Sequence, residues 1–200
     1  MKRALDIAGS ALGLIVLSPV MLVAALAIRL HDGGPAFYRG RRVGHGGRPF
    51  SMLKFRTMCV DADRRGGAST AADDDRLTTV GRFLRRFKLD ELPQLFNVIR
   101  GDMSLVGPRP QVEWAVALYT AEERDLLSVR PGMTDWASIR FANEAELLRG
   151  SADPDRDYFE KIAPEKIRLG LEYVRTRSLA MDLRIIVATL GAVARPPRAS

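Results

Sequence analysis

The chain has 200 residues, enough for one domain with a real core, and its 46% hydrophobic and 28% charged residues are ordinary for a folded chain. A lone cysteine, Cys59, excludes an internal disulfide, and two histidines, His31 and His45, argue against a protein-ligated zinc site. The net charge of +7 is uneven: residues 1–60 hold nine Lys/Arg against two Asp, and residues 61–200 are neutral. Basic charge packed around an apolar segment fits an anionic phospholipid surface better than a nucleic acid.

That segment is the uncharged run Ile7–Ile28, with Ser18-Pro19 almost at its centre. As one helix it is long enough to cross the roughly 30 Å hydrocarbon core of a bilayer. Its halves, Ile7–Leu17 and Val20–Ile28, extend only ~16 Å and ~13 Å at ~1.5 Å per residue, so each reaches about the midplane. Pro19 has no N–H, so the Ile15 carbonyl loses its helical partner, and lipid offers no replacement. The Ser18 hydroxyl is expected to bond back to the Leu14 carbonyl and ease the break. Three readings are open on these residues: a kinked spanning helix, a secretory signal peptide with Lys2-Arg3 before it and Ala25-Leu26-Ala27 as a cleavage-like site, and a re-entrant hairpin. Lys and Arg flank both ends and prefer the cytoplasmic side. A hairpin satisfies both flanks; a spanning helix satisfies one.

His31–Pro49 reads as a basic, turn-rich stretch, and Phe50–Met58 as a short strand carrying Lys54 and Arg56. Asp61–Asp75 reads as a polar loop whose Asp73-Asp74-Asp75 is a solvated turn rather than a metal site. Val80, Phe83, Leu84 and Phe87 follow the i, i+3, i+4, i+7 rule of an amphipathic helix. Leu92, Leu95, Phe96 and Ile99 repeat it, with Pro93 in the first turn and Gly101 as a stop. Gly107-Pro108-Arg109-Pro110 is a rigid turn. The patterns over 112–119, 121–127, 143–149 and 164–176 predict helices. Leu179, Leu183, Ile186, Val187, Leu190 and Val193 mark a last amphipathic helix suited to a membrane surface.

The polar chemistry concentrates in "RRFKLDELPQLFNVIRGDMSLVGPRP", Arg85 to Pro110. Asp90 and Glu91 stand directly before a helix. One reading makes Asp90 an N-cap and Glu91 a favourable charge at the positive helix end. The other makes them a carboxylate pair that binds Mg²⁺, an ion that takes one or two carboxylates plus substrate phosphates, with Asp as a nucleophile towards phosphorus. Arg85 and Arg109 supply forked donors to phosphate oxygens.

This stretch strongly resembles the bacterial sugar transferase family, the small monotopic polyprenyl-phosphate phosphoglycosyl transferases. "KRALDIAGSALGLIVLSPVM", "LKFRTM", "DDDRLTTVGRFLRRFKLDELPQLFNVIRGDMSLVGPRP", "RPGMT" and "LAMDLRIIVATL" carry the likeness through most of the chain. The resemblance implies transfer of a sugar-1-phosphate from a UDP-sugar to undecaprenyl phosphate, with UMP released, as the first membrane step of glycoconjugate synthesis (capsule, lipopolysaccharide O-antigen or exopolysaccharide). Asp90 matches the nucleophile that forms a covalent phosphosugar intermediate in a ping-pong scheme. Glu91 matches its partner in positioning, base or metal roles, with Mg²⁺ as cofactor. Arg85 and Arg109 match positions near the phosphates, Lys54 and Asp182 are weaker carry-overs, and Ser18-Pro19 matches the break of a re-entrant helix.

After "RPGMT" the chain departs from the common family pattern with "DWASIRFANEAELL", where Arg140 stands in for an arginine usually found nearby. That segment is expected to touch the sugar or nucleotide.

The fold expected is mainly α with a small β element: a re-entrant helix-break-helix anchor over 1–30, then a catalytic region over 31–200 with interfacial helices. Its place is the cytoplasmic face of the bacterial inner membrane, and an interfacial helix permits a homodimer. The rival functions are a membrane-surface phosphohydrolase using the same carboxylates and a non-catalytic basic scaffold.

Overall fold

The computed structural model describes residues 1–65 and 71–193; residues 66–70 of the expected polar loop and 194–200 of the expected catalytic region lie outside them. Helix α1, Lys2–Asp32, is continuous, with Pro19 inside it. The expected break at Ser18-Pro19 therefore does not interrupt the helix. Ser18 Oγ donates to the Ile15 carbonyl at 2.9 Å, the acceptor that the missing proline N–H leaves open. The partner is Ile15 rather than Leu14, and this substitution of one donor for another accounts for the unbroken helix. Gly33, in the left-handed conformation at φ 70°, ends it by donating to the Arg29 carbonyl.

Helix α1 is tied to the rest of the protein at both ends. Lys2 Nζ lies 2.7 Å from Asp182 and 3.0 Å from the Val106 carbonyl. Arg3 donates to the carbonyls of Val98 and Ile99, and Asp6 accepts from Ser104 Oγ and the Leu105 N–H. Further along, Met21, Ala24 and Ile28 pack against Phe55 and Leu84. At the far end Asp32 binds Arg56 at 2.6 Å. The opposite face, including Ile15, Val16, Leu22, Val23 and Leu26, is apolar and exposed. Among the described residues, α1 alone has the length and composition to cross a membrane.

Strands β1 (Phe37–Val43) and β2 (Pro49–Phe55) form an antiparallel hairpin, Phe37 opposite Phe55 and Val43 opposite Pro49. The first strand lies in the stretch read as basic turns. Arg39, Arg41 and Arg42 around Gly40 erase its alternation, and pairing with β2 supplies the order its own sequence lacks. Beyond the hairpin a turn follows over Ala62–Arg65, and Asp74 binds Arg76 within the Asp73-Asp74-Asp75 turn at 2.6 Å.

Helix α2, Thr79–Arg86, starts at Thr78, whose Oγ accepts the Gly81 N–H. It docks directly on the chain after β2: a Cβ on Gly81 would stand 1.9 Å from the Thr57 carbonyl oxygen. Helix α3, Gln94–Arg100, has Pro93 at its N-cap position and Gly101 at its end. Strand β3 (Ser104–Val106) pairs in parallel with β4 (Gly132–Thr134). Between them the two predicted helices are short, α4 over Glu113–Ala117 and 3₁₀ turns over Glu123–Ser128.

Short helices α5 (Trp136–Arg140), α6 (Glu144–Leu147) and α7 (Pro154–Asp157) follow. A π-turn, Tyr158–Ile162, continues α7 into α8, Ala163–Thr176. The last helix, α9 (Leu179–Val193), buries Asp182 and Ile185 and exposes Leu179, Leu183, Val187, Leu190 and Val193. The architecture is mainly α with a small β element, as the periodicities predict.

The Gly81 contact yields a direct test. Gly81→Ala forces α2 off the Thr57 backbone and should lower stability by about 2–4 kcal/mol, read by thermal unfolding of the purified protein in detergent.

Candidate active site

The site grows from the reversal between α2 and α3. Lys88 holds the left-handed conformation (φ 56°, ψ 19°), the only non-glycine residue to do so among the described residues. This turns the chain into a single 3₁₀ turn, Leu89–Glu91, which carries both carboxylates. Pro93 occupies the N-cap position of α3, and Asp90 caps nothing, so the capping reading of Asp90 does not hold. Leu89 and Leu92 on either side of the pair pack into the core cluster that includes Met21, Ala24 and Ile28 of α1.

Glu91 is clamped. Arg109 Nη1 donates to its Oε2 at 3.2 Å and Arg109 Nη2 to its Oε1, a forked pairing. Lys54 Nζ donates to the same Oε1 at 3.1 Å. Arg109 is presented by the proline-bounded turn after β3, whose Gly107 donates to the Thr134 carbonyl and whose Pro108 carbonyl accepts from Gly132. Lys54 is presented by β2, and β2 is pinned by Asn97 of α3. The fully buried Asn97 side chain accepts the Leu53 N–H at 2.9 Å and donates to the Ser51 carbonyl at 2.8 Å and to Asp102 at 3.1 Å.

Asp90 is placed differently. It is 5% exposed, yet no donor among the described residues is hydrogen-bonded to its carboxylate. The charges of Lys54 and Arg85 act on it from nearby, and Arg85 Nε is held by Thr57 Oγ1 at 3.0 Å. Burial pushes the Asp90 carboxyl above its usual pKa; Lys54 opposes that rise, Glu91 adds to it, and Arg85 and Lys88 oppose it. For Glu91, burial also works upward, but the charges of Arg109 and Lys54 and the Arg109 hydrogen bond outweigh it, so its pKa lies well below the usual range. Burial lowers the Lys54 pKa against the pull of Glu91. Two adjacent carboxylates are thus driven apart: one fixed as an anion, the other poorly solvated with free lone pairs.

The structure brings together Lys54, Arg85, Asp90, Glu91 and Arg109. It does not bring Asp182 or Arg140 to them. Asp182 is buried against Lys2 and the Tyr173 hydroxyl, which donates to it at 2.7 Å. Arg140 is exposed and pairs with Glu165 at 2.8 Å. Sequence reasoning missed Thr57, which holds Arg85, and Asn97, whose signal was an amide set among the apolar residues of α3.

Residues 1–196 match the family described as bacterial sugar transferase. The chain belongs to that family. The transferase is 42% identical over 192 residues to the UDP-glucose:undecaprenyl-phosphate glucose-1-phosphate transferase of Caulobacter vibrioides, covering 94% of this chain and 68% of that protein. It is 39% identical over 207 residues to the exopolysaccharide production protein ExoY of Sinorhizobium fredii, covering 96% and 84%. It is 35% identical over 195 residues to the UDP-N-acetylgalactosamine-undecaprenyl-phosphate N-acetylgalactosaminephosphotransferase of Aeromonas hydrophila, covering 96% of this chain but 43% of that protein.

The clamp on Glu91 makes part of the transferase's stability pH-dependent. A carboxyl with a depressed folded pKa stabilises the fold above its unfolded value, 4.5, and that contribution is lost as pH falls through the acid range below it. Glu91→Gln should lower stability at neutral pH by about 2–4 kcal/mol, because Arg109 and Lys54 lose their shared anion. It should also flatten the acid limb of a denaturation series taken below pH 4.5.

Proposed function

We propose that this chain transfers a sugar-1-phosphate from a UDP-sugar to undecaprenyl phosphate, giving undecaprenyl-diphosphate-sugar and UMP. The names of the Caulobacter and Aeromonas relatives support this reaction class. One observation carries the mechanism: Asp90 is a buried carboxylate that accepts no hydrogen bond among the described residues, next to a carboxylate locked by two cations. In the first step an Asp90 oxygen attacks the β-phosphorus, the phosphoanhydride bond breaks, and UMP leaves with the electron pair. Asp90 then carries the sugar-phosphate as an acyl phosphate. In the second step a phosphate oxygen of undecaprenyl phosphate attacks the same phosphorus and frees Asp90. Lys54 and Arg85 offset charge around the reacting phosphate, and Glu91 positions the cations.

Mg²⁺ is the cofactor this reading requires. Among the described residues no group of three His, Cys, Asp or Glu side chains is gathered for a metal. On this reading Asp90 and Glu91 would be the protein ligands and substrate phosphate oxygens would supply the rest, a donor set that suits this ion. Bound there, it would neutralise charge on the diphosphate.

The reading places α1 in one leaflet of the inner membrane as a re-entrant element, with the site on the cytoplasmic face. Its support is that Lys2 at one end and Asp32 at the other are each bonded to the same body, while the face between is apolar and open. The flanking arginines suit anionic phospholipid headgroups, and the exposed stripe of α9 lies with them or against a second copy in a homodimer.

Incubation with UDP-glucose or UDP-N-acetylgalactosamine and no acceptor should leave a sugar-phosphate adduct on the peptide containing Asp90, seen by mass spectrometry, and Asp90→Asn should lose both adduct and UMP release. Release of inorganic phosphate instead of UMP would favour a phosphohydrolase, and full function of Asp90→Asn a scaffold. Because Asp90 must be ionised to attack and Lys54 holds its pKa down, Lys54→Met should move the acid limb of kcat/KM to higher pH and cut the neutral rate at least about tenfold. Cysteines at Ala4 and His31, in a Cys59→Ser background, should label from the same side of the membrane; labelling from opposite sides would replace the re-entrant placement of α1 by a spanning one.

A further inference from the structure

We propose that the cavity beside Arg109 binds the sugar ring of the donor, with Asp135 as its principal acceptor of sugar hydroxyls. The proposal rests on the sugar-1-phosphate transfer reading above. The cavity measures about 170 Å³ and is lined by Arg109, Gln111, Tyr119, Asp135, Ser138 and Tyr158 among others. An apolar cavity of about 150 Å³ takes one benzene ring, so this space suits a single ring and not a whole nucleotide.

Its position relates it to the reacting phosphorus. Arg109 forms part of its wall and also clamps Glu91, the neighbour of Asp90. The phosphorus that Asp90 attacks carries the sugar, so the sugar is the donor ring nearest this wall.

Its chemistry selects among rings. Asp135 is 3% exposed; one oxygen accepts the Ser138 N–H at 2.6 Å, and the carboxylate accepts nothing else among the described residues. The Ser138 and Tyr119 hydroxyls line the same space, and Gln111 reaches the Tyr158 hydroxyl only at 3.4 Å, which leaves both with capacity to spare. The cations are committed, Arg109 to Glu91 and Lys166 to Glu144. A second phosphate would meet the Asp135 anion with no free cation to offset it. Uracil offers a carboxylate one N–H donor, whereas a pyranose offers several hydroxyls, and the aromatic walls suit its C–H faces. Asp135, Ala137 and Ser138 belong to the segment after Thr134 where this chain departs from the common family pattern.

Asp135→Asn separates binding from folding, because asparagine also serves as the N-cap of α5. Binding is measured in an Asp90→Asn background, so that no chemistry intervenes, with UDP-glucose, UDP-N-acetylgalactosamine and UMP as probes. The added Asp135→Asn change should weaken the UDP-sugar that binds best at least about tenfold and leave UMP within about twofold. Tyr119→Phe, which leaves the cap untouched, should shift the same donor in the same direction by less. Equal losses for UMP and UDP-sugar would assign the cavity to the nucleoside and overturn the proposal, as would no change for either. If the unsubstituted protein releases UMP from neither donor, the transfer reading fails first, and the sugar cavity with it.

Discussion

The carboxylate of Glu91 is where separately folded pieces of this protein meet. It is bonded to Lys54, 37 residues upstream on β2, and to Arg109, 18 residues downstream after β3. A largely buried anion is costly unless paired and hydrogen-bonded, so the hairpin, the turn before α3 and the proline-bounded turn have to arrive together. Once they do, a local excess of positive charge stands beside Asp90 without touching it. That distinction has chemical weight. A hydrogen bond to Asp90 would stabilise its charge and occupy its lone pairs, whereas nearby cations stabilise the charge and leave them free.

The long apolar helix α1 and the site are built on one another. Leu89 and Leu92 flank the two carboxylates and pack with the residues of α1 that also meet Phe55 and Leu84. The wall behind the catalytic turn is thus the inner face of a helix whose outer face is bare and apolar. The bonds from Lys2, Arg3 and Asp6 to β3, α3 and α9 hold one end of α1 to this body, and Arg56 with Asp32 holds the other. Asp182, carried over from the resemblance as a substrate residue, finds its place in this latch: it is buried between Lys2 and Tyr173.

Local signals were legible in the sequence and distant ones were not. Helices α2, α3, α8 and α9 follow from their apolar period and end residues, which depend on neighbours a turn away. Strand β1 has no readable alternation, and β3 with β4 is a short parallel pairing between segments far apart in the chain. Asp90 and Glu91 stood out as a pair, but their spacing does not say which is held and which is free. That depends on Lys54 and Arg109, whose approach only the fold sets. The same holds for Ser18: the hydroxyl was legible as a donor, and the carbonyl it reaches was one residue from the one expected.

Apart from the buried Ser10 hydroxyl on α1, which has no hydrogen-bond partner among the described residues, three places where this chain breaks local rules fall together. Lys88 takes a conformation that side chains resist, and among the described residues Asp90 is a buried carboxylate without a donor and Gln94 a buried amide with neither of its polar atoms bonded. All three fall within residues 88–94, where α2 hands over to α3. Each costs stability, on the order of 1–3 kcal/mol for a strained or unsatisfied group. They persist because their surroundings are over-determined: Thr78 caps α2, Gly81 seats it on Thr57, and Asn97 ties α3 to β2. A turn this unfavourable on its own terms persists only because its neighbours hold it, so its conformation belongs to the fold and not to the segment.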